Sequence, residues 1–211
     1  MSRDSRSTQH YFDVAAREYQ SRSEGAWWQI LRRREVAAVM EMLEPQAGER
    51  ILDAGCGAGF YTRLIAERGV QVVGLDQSPA MVAEARKWGL EVFEGSLEGF
   101  QLPSPPFDKI LCAGALEFCR SPRLALRRFH HHLKPGGRLV LLVPMNTLTG
   151  LLYQFYHRTH GLSIRLFTAD GLRRLAEAEG FAELVERRPT FSWVFQLEKT
   201  AEPPRKPHSQ D

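Results

Sequence analysis

Residues 50–59 read Arg-Ile-Leu-Asp-Ala-Gly-Cys-Gly-Ala-Gly, and this stretch decides the fold. Its first half is a short apolar strand, three glycines follow in alternate positions (Gly55, Gly57 and Gly59), and a helical pattern begins directly after them. Glycine lets the backbone turn tightly and approach a ligand, and a helix N-terminus favours anionic groups. The stretch therefore predicts a strand, a ligand-binding turn and a helix.

Strand and helix patterns alternate outward from this turn. Further strands are predicted at 72–75, 90–93, 108–113 and 138–143, and helices at 30–43, 60–68, 78–88, 121–133, 148–158 and 168–179. Two of the helices begin at Ser-Pro, which combines a good capping residue with a residue favoured at the first helical position. Strict alternation predicts parallel strands with helices on both faces of the sheet.

Two β-forming runs close the chain, at 181–186 and 190–198, and only three residues separate them, so they could pair as an antiparallel hairpin. The predicted fold class is thus α/β: a Rossmann-like, doubly wound, mostly parallel seven-stranded sheet with a C-terminal antiparallel hairpin. We expect a single domain, since 211 residues with 43% hydrophobic composition form one core. Its expected parts are disordered ends at 1–8 and 199–211, an N-terminal helical cap at 9–47, a ligand-binding core at 48–145, an insertion at 146–167, and a C-terminal helix and hairpin at 168–198.

Composition excludes several classes of protein. The 28 basic and 25 acidic residues leave a net charge of only +3, which makes a nucleic-acid partner unlikely on charge grounds. The three cysteines are odd in number and lack a C-x-x-C pair, which argues against a disulfide scaffold or a zinc site and favours a reducing, cytoplasmic location. Residues 139–157 lack charges but contain Pro144 and several polar residues, so we expect no transmembrane segment, although peripheral membrane contact stays open.

Asp76 adds a second feature to the glycine turn. It ends the second predicted strand, 21 residues after Gly55, where an acid can accept hydrogen bonds from ribose hydroxyls. Turn and acid together predict a site for an adenosine-containing ligand. Two alternatives are a turn that serves only strand–helix packing and a nicotinamide dehydrogenase, whose glycines fall as G-x-G-x-x-G rather than the G-x-G-x-G seen here.

Four motifs resemble the class I S-adenosylmethionine-dependent methyltransferases: ILDAGCGAG at 51–59, VVGLDQSPAMVAEAR at 72–86, FDKILCAGALEF at 107–118 and LKPGGRLVLLVP at 133–144. YFDVAAREY at 11–19 is similar to the small-molecule methyltransferases of the ubiquinone-biosynthesis O-methyltransferase type. The resemblance implies S-adenosyl-L-methionine as the cofactor and a small-molecule acceptor. We expect no metal, since the three consecutive histidines at 130–132 cannot all face one ion.

The resemblance also implies roles for individual residues. Gly55, Gly57 and Gly59 would line the methionine portion of the cofactor, Asp53 would hold the turn, and Asp76 would bind the ribose. Gln77 and Leu97 would flank the adenine, Ala113 would receive the methionine amino group, and Arg34, or its neighbour Arg33, would contact the carboxylate. The chain departs from the family at Ser96, which replaces an acid that contacts the adenine amine, and at Phe118, which replaces a histidine.

The expected acceptor wall is aromatic. It comprises Tyr11, Tyr19, Trp27, Trp28, Tyr153, Phe155, Tyr156, His157 and His160. Aromatic rings with a few polar groups suit a small, apolar or planar acceptor. Our hypothesis is that His157 or His160 deprotonates or orients a hydroxyl, with Tyr153 or Tyr156 positioning it. Two other functions stay open: an RNA- or protein-directed methyltransferase, and a cofactor-binding module without turnover.

Overall fold

A computed structural model describes residues 26–102, 106–159 and 161–201. The helices are α1 (Ala26–Leu43), α2 (Phe60–Ala66), α3 (Pro79–Arg86), α4 (Pro122–His132), α5 (Leu148–Thr159) and α6 (Ala169–Ala178). The strands are β1 (Arg50–Ala54), β2 (Gln71–Asp76), β3 (Glu91–Glu94), β4 (Phe107–Ala113), β5 (Leu133–Pro144), β6 (Phe181–Arg187) and β7 (Ser192–Lys199). The predicted disorder at 1–8 and the tail from 202 lie outside the described residues.

The seven strands form one sheet in the order β3-β2-β1-β4-β5-β7-β6. The first five strands pair in parallel, whereas β5 with β7 and β7 with β6 pair antiparallel. The predicted fold class, including the C-terminal hairpin, is confirmed. The order of strands reverses between β1 and β4, and in open α/β sheets ligands bind beyond the carboxyl ends of the strands at such a point.

Helices cover both faces of the sheet. On one face α1 and α2 pack Val39, Leu43 and Ile65 against the sheet, and on the other α4 and α6 contribute Phe129 and Leu172. The helices on each face exclude water from the strands. The strands are apolar along most of their length, as expected for parallel strands covered on both sides. The carboxyl edge of the sheet is therefore held rigidly beneath the loops that carry the site.

Several element boundaries differ from those predicted. The strand expected to begin at Arg138 begins at Leu133, which pairs with Phe107 across a register shift that precedes the pair Lys109 and Arg138. Helix α2 ends at Ala66, two residues early. Lys199, expected in a disordered tail, belongs to β7, and its Nζ donates to the carbonyl oxygen of Leu133 at 2.8 Å. Within the described ranges, no helix is both long and apolar enough to cross a bilayer.

Candidate active site

The glycine turn is fixed to the neighbouring strand by backbone hydrogen bonds. The amides of Gly55 and Cys56 both donate to the carbonyl oxygen of Leu75, at 2.7 and 3.0 Å. Gly55 has a φ of +83°, and a Cβ there would lie 2.2 Å from the Cβ of Ala115. Any other residue at Gly55 would combine a strained backbone with a collision, so the turn needs glycine at this point.

Asp53 joins the turn to α2 from beneath. Its Oδ2 accepts a hydrogen bond from the Thr62 hydroxyl at 2.7 Å, and both side chains are buried. Burial and, to a smaller extent, the nearby Asp76 raise the pKa of Asp53 to about 7, although the Thr62 hydroxyl opposes the shift. The side chain thus joins the end of β1 to α2.

Asp76 bridges the turn and the next helix from the end of β2. Its Oδ2 accepts from the Gly57 amide at 2.8 Å, and its Oδ1 accepts from the Ser78 amide at 2.9 Å. Ser78 in turn caps α3, because its Oγ accepts from the Met81 amide at 3.2 Å. The carboxylate is therefore oriented from both sides at the wall of a cavity, with further lone pairs on each oxygen for a ligand.

We call this space the turn cavity. It is lined by Arg32, Asp53, Gly55, Cys56, Gly57, Ala58, Phe60, Tyr61, Asp76, Gln77, Met81, Ser96, Leu97, Glu98, Ala113, Gly114, Ala115, Phe118 and Cys119. Eight of the ten residues predicted to bind the cofactor are thus brought to one cavity, and they come from the ends of β1, β2, β3 and β4.

The two other predicted residues do not line the turn cavity. Arg34 is exposed on α1, as is Arg33, and Arg32 is the arginine of this helix at the cavity, with its guanidinium 4.3 Å from the centre of the Phe60 ring. Gly59 packs against Leu90 and does not line the turn cavity, since a Cβ built on Gly59 would lie 2.7 Å from Cδ1 of Leu90. A cofactor contact by Arg34 stays a prediction, and Arg32 is a second candidate for it.

A second cavity of about 590 Å³ adjoins the first. Its lining comprises Arg32, Glu35, Tyr61, Ala113, Gly114, Glu117, Leu142, Val143, Pro144, Thr149, Gly150, Leu152, Tyr153, Thr190, Phe191 and Ser192. Arg32, Tyr61, Ala113 and Gly114 line both cavities. We call this space the acceptor-side cavity, since a molecule in it would meet one in the turn cavity at these four residues.

Glu117 is the functional candidate that sequence reasoning missed. It lies in a single 3-10 turn, Leu116–Phe118, after β4, and it is 4% exposed. Its Oε2 has no hydrogen-bond partner among the described residues. Burial raises the pKa of Glu117 to about 8; its own backbone amide lowers the pKa and Glu35 raises it. The one sequence signal was its place just beyond a strand's carboxyl end.

Glu35 faces the same cavity from α1 and is held in place there. Its Oε1 accepts hydrogen bonds from the Thr190 hydroxyl at 2.5 Å and the Ser192 hydroxyl at 2.7 Å. These bonds tie α1 to the loop before β7 and to its first residue. Of the two carboxylates at the cavity, Glu35 therefore has a structural role, whereas Glu117 has a buried oxygen without a hydrogen-bond partner among the described residues.

The predicted catalytic residues on α5 are only partly at the cavity. Tyr153 lines it, whereas Tyr156 is half exposed and lines neither cavity. His157 is buried, with its ring centre 4.4 Å from that of Tyr153 and 5.9 Å from that of Phe118, and it also lines neither cavity. His160, Tyr11 and Tyr19 lie outside the described residues, as do the side chains of Trp27 and Trp28.

Comparison with known proteins finds one matching family and several similar enzymes. A family described as "Methyltransferase domain" matches residues 52–141. The chain is 36% identical over 127 residues to the mitochondrial ubiquinone biosynthesis O-methyltransferase of Schizosaccharomyces pombe, covering 56% of this chain and 46% of the relative. It is 35% identical over 130 residues to the malonyl-[acyl-carrier protein] O-methyltransferase of Enterobacter lignolyticus, covering 61% and 49%. The chain thus spans about half the length of the curated relatives it matches.

A solved structure extends the likeness of the fold. Magnesium protoporphyrin IX methyltransferase from Synechocystis, with bound S-adenosylhomocysteine, superposes with a TM-score of 0.71 at 18% identity, over 92% of this chain and 98% of that chain. Residues 52–141 therefore match the methyltransferase-domain family, and the fold is one that this chain shares with an S-adenosylmethionine-dependent methyltransferase.

Proposed function

We propose that this protein transfers the methyl group of S-adenosylmethionine to an oxygen of a small, apolar or aromatic acceptor. The observation that carries the proposal is the junction of the two cavities at Arg32, Tyr61, Ala113 and Gly114. A donor in the turn cavity and an acceptor beside it would be in contact there, and orientation of two reactants supplies much of the rate enhancement of such a reaction.

The residues of the turn cavity fit the cofactor. Asp76 offers oriented carboxylate oxygens for two ribose hydroxyls, and Gln77, Ser96 and Leu97 lie where an adenine would follow. The acids of the cavity outnumber its single arginine, which suits a ligand with a sulfonium charge. The bound cofactor supplies an activated methyl group, so the protein's part is to orient the acceptor, exclude water and accept a proton.

The acceptor-side cavity fits an apolar molecule with a polar end. Leu142, Val143, Pro144, Leu152 and Phe191 form apolar walls, while the carboxylates and hydroxyls lie among them. We propose that the insertion 146–167 forms the acceptor-side wall. Four residues of α5 line the cavity and support this proposal: Thr149, Gly150, Leu152 and Tyr153. Both curated relatives described above are named as O-methyltransferases, which supports an oxygen acceptor.

We also propose a cytoplasmic location for the protein. The free thiols of Cys56, Cys112 and Cys119 support this proposal.

The test is a transfer assay with labelled methyl donor. Purified protein would be incubated with S-adenosylmethionine carrying a labelled methyl group and, separately, with an alkyl-substituted phenol, an alkyl carboxylic acid, an alkyl amine and total transfer RNA. We expect label on a small oxygen acceptor and none on RNA. Label confined to RNA, or to the amine, would contradict the proposal.

A further inference from the structure

We propose that Glu117 is the catalytic base that takes the proton from the acceptor's hydroxyl, and that the acceptor is a phenol or a similarly weakly acidic alcohol. This inference rests on the proposed methyl transfer. It replaces the histidine hypothesis with a carboxylate that lines the acceptor-side cavity close to its junction with the turn cavity.

Glu117 lies close to the wall that the two cavities share. Glu117 follows Gly114 by three residues, and Gly114 lines both cavities. A Cβ built on Gly114 would lie 3.9 Å from Oε1 of Glu117, so no side chain separates the carboxyl group from the shared wall. A base must reach the proton that it removes, and among the described residues Glu117 is the carboxylate of this cavity whose unpartnered oxygen is buried.

The burial of Glu117 also points to a ligand. A polar atom buried without a partner destabilises the native state, and native proteins seldom keep one without a role. Oε2 of Glu117 is such an atom, in a residue that is 96% buried and next to a cavity wide enough for a small molecule. A hydroxyl that donates to Oε2 would satisfy it.

Several charged and titratable groups lie around Glu117. They are Glu35 and Arg32 on α1, Tyr61 on α2, Cys112 on β4, Cys119 after the 3-10 turn, and Tyr153 on α5. Burial and Glu35 raise the pKa of Glu117 to about 8. A base with a pKa near the working pH is well matched to a weakly acidic hydroxyl, whose ordinary pKa is about 10 for a phenol.

The step balances without another reactant. The acceptor's O–H bond breaks and its proton passes to Oε2 of Glu117 as the oxygen–carbon bond to the methyl group forms. The electron pair of the breaking carbon–sulfur bond remains on sulfur, which loses its positive charge. Glu117 then releases the proton to water when the methylated product leaves the cavity.

A pair of phenols of similar shape tests the base directly. We would compare 4-propylphenol, which is scarcely ionised at neutral pH, with 2,6-difluoro-4-propylphenol, which is far more acidic and needs a base less. Glu117→Gln should lower the rate with the first by ~10²–10⁴-fold and with the second by less than about tenfold. Glu117→Asp should restore part of the rate with 4-propylphenol, because it keeps the carboxylate.

Two variants serve as comparisons. Glu41→Gln removes an exposed carboxylate on α1 and should behave as wild type. His157→Ala should slow both phenols to the same extent if its ring only packs against Tyr153. Equal rates for wild type and Glu117→Gln, equal losses with both phenols, or a selective loss in His157→Ala would each overturn the proposal.

Two further measurements separate this proposal from the proposed function. Infrared difference titration without cofactor should show a protonated carboxyl band at neutral pH that is weaker in Glu117→Gln, where Asp53 still contributes; a variant spectrum identical to wild type would contradict a poised Glu117. Glu117→Gln should bind S-adenosylhomocysteine as wild type does, since Glu117 does not line the turn cavity. A wild type that labels no panel member contradicts the proposed function, whereas label on 4-propylphenol in both proteins contradicts only the role of Glu117.

Discussion

Ser96 is the point at which a single residue departs from its family and the consequence can be measured. It lines the turn cavity, is exposed, and its Oγ accepts from the Glu98 amide at 3.3 Å. Ser96→Ala should weaken S-adenosylhomocysteine binding by a few-fold, as expected for one neutral hydrogen bond of about 1 kcal/mol. Ser96→Asp should bind as tightly as wild type or tighter. Calorimetry that finds Ser96→Asp strongly impaired would mean that this loop does not face the adenine.

Cavity-lining residues in or next to the glycine turn could be predicted from the sequence. Those whose position depends on how a helix is rotated could not. Gly55, Gly57 and Asp76 follow from strand, turn and spacing alone. Arg32 and Arg34 are two positions apart on α1, which turns their side chains about 200° from each other, so a small error of register exchanges an exposed arginine for a cavity-lining one. Glu117 carries no sequence signal of its burial, because a lone acid in a loop is ordinarily solvated.

Gly59 tests how tightly α2 is seated on its neighbours. Its φ is +87°, and a Cβ would lie 2.7 Å from Leu90 Cδ1 and 3.3 Å from the Cβ of Ala85. Gly48 has nearly the same φ, +86°, with nothing within 4 Å of its Cβ position. Gly48→Ala should therefore lose only the ~1–2 kcal/mol of a left-handed residue, and Gly59→Ala distinctly more. Urea unfolding of both variants gives the comparison, and equal losses would show that α2 is free to shift.

Element boundaries were least predictable where tertiary pairing overrides local sequence. Pro135, Gly136 and Gly137 predict a break before the fifth strand. The strand nevertheless begins at Leu133, because its pairing with Phe107 resumes the parallel ladder across that irregular segment. Likewise His157 stands on a helix whose sequence does not say which side faces the sheet; its burial against Phe118 and Tyr153 follows from how α5 packs.

At the scale of the whole molecule, the buried acids of the site make folding stability depend on pH. The pKa of Glu117 is about 8 and that of Asp53 about 7, both raised by burial above their ordinary values. The native state therefore binds more protons than the unfolded chain, and stability present below about pH 4 is lost as the pH rises through 7 and 8. Glu117→Gln removes one of these groups.

Thermal unfolding of wild type and Glu117→Gln at pH 5 and pH 8 measures this effect. Wild type should lose more stability than the variant over that interval, by an amount on the order of a few kcal/mol, or several degrees in Tm. Parallel curves for the two proteins would mean that Glu117 is ionised in the native state already at pH 5.

The strand order brings residues distant in sequence to one edge of the sheet, and this convergence makes the cofactor site. Asp76, at the end of β2, accepts hydrogen bonds from the amides of Gly57 and Ser78. It is not part of the hydrophobic core on either face of the sheet. Calorimetric titration of S-adenosylhomocysteine into wild type and Asp76→Ala tests the site most directly. We predict saturable one-to-one binding by wild type that is lost or weakened by more than about tenfold in a variant that still unfolds cooperatively; absence of binding by wild type, or equal affinity in Asp76→Ala, would contradict the account.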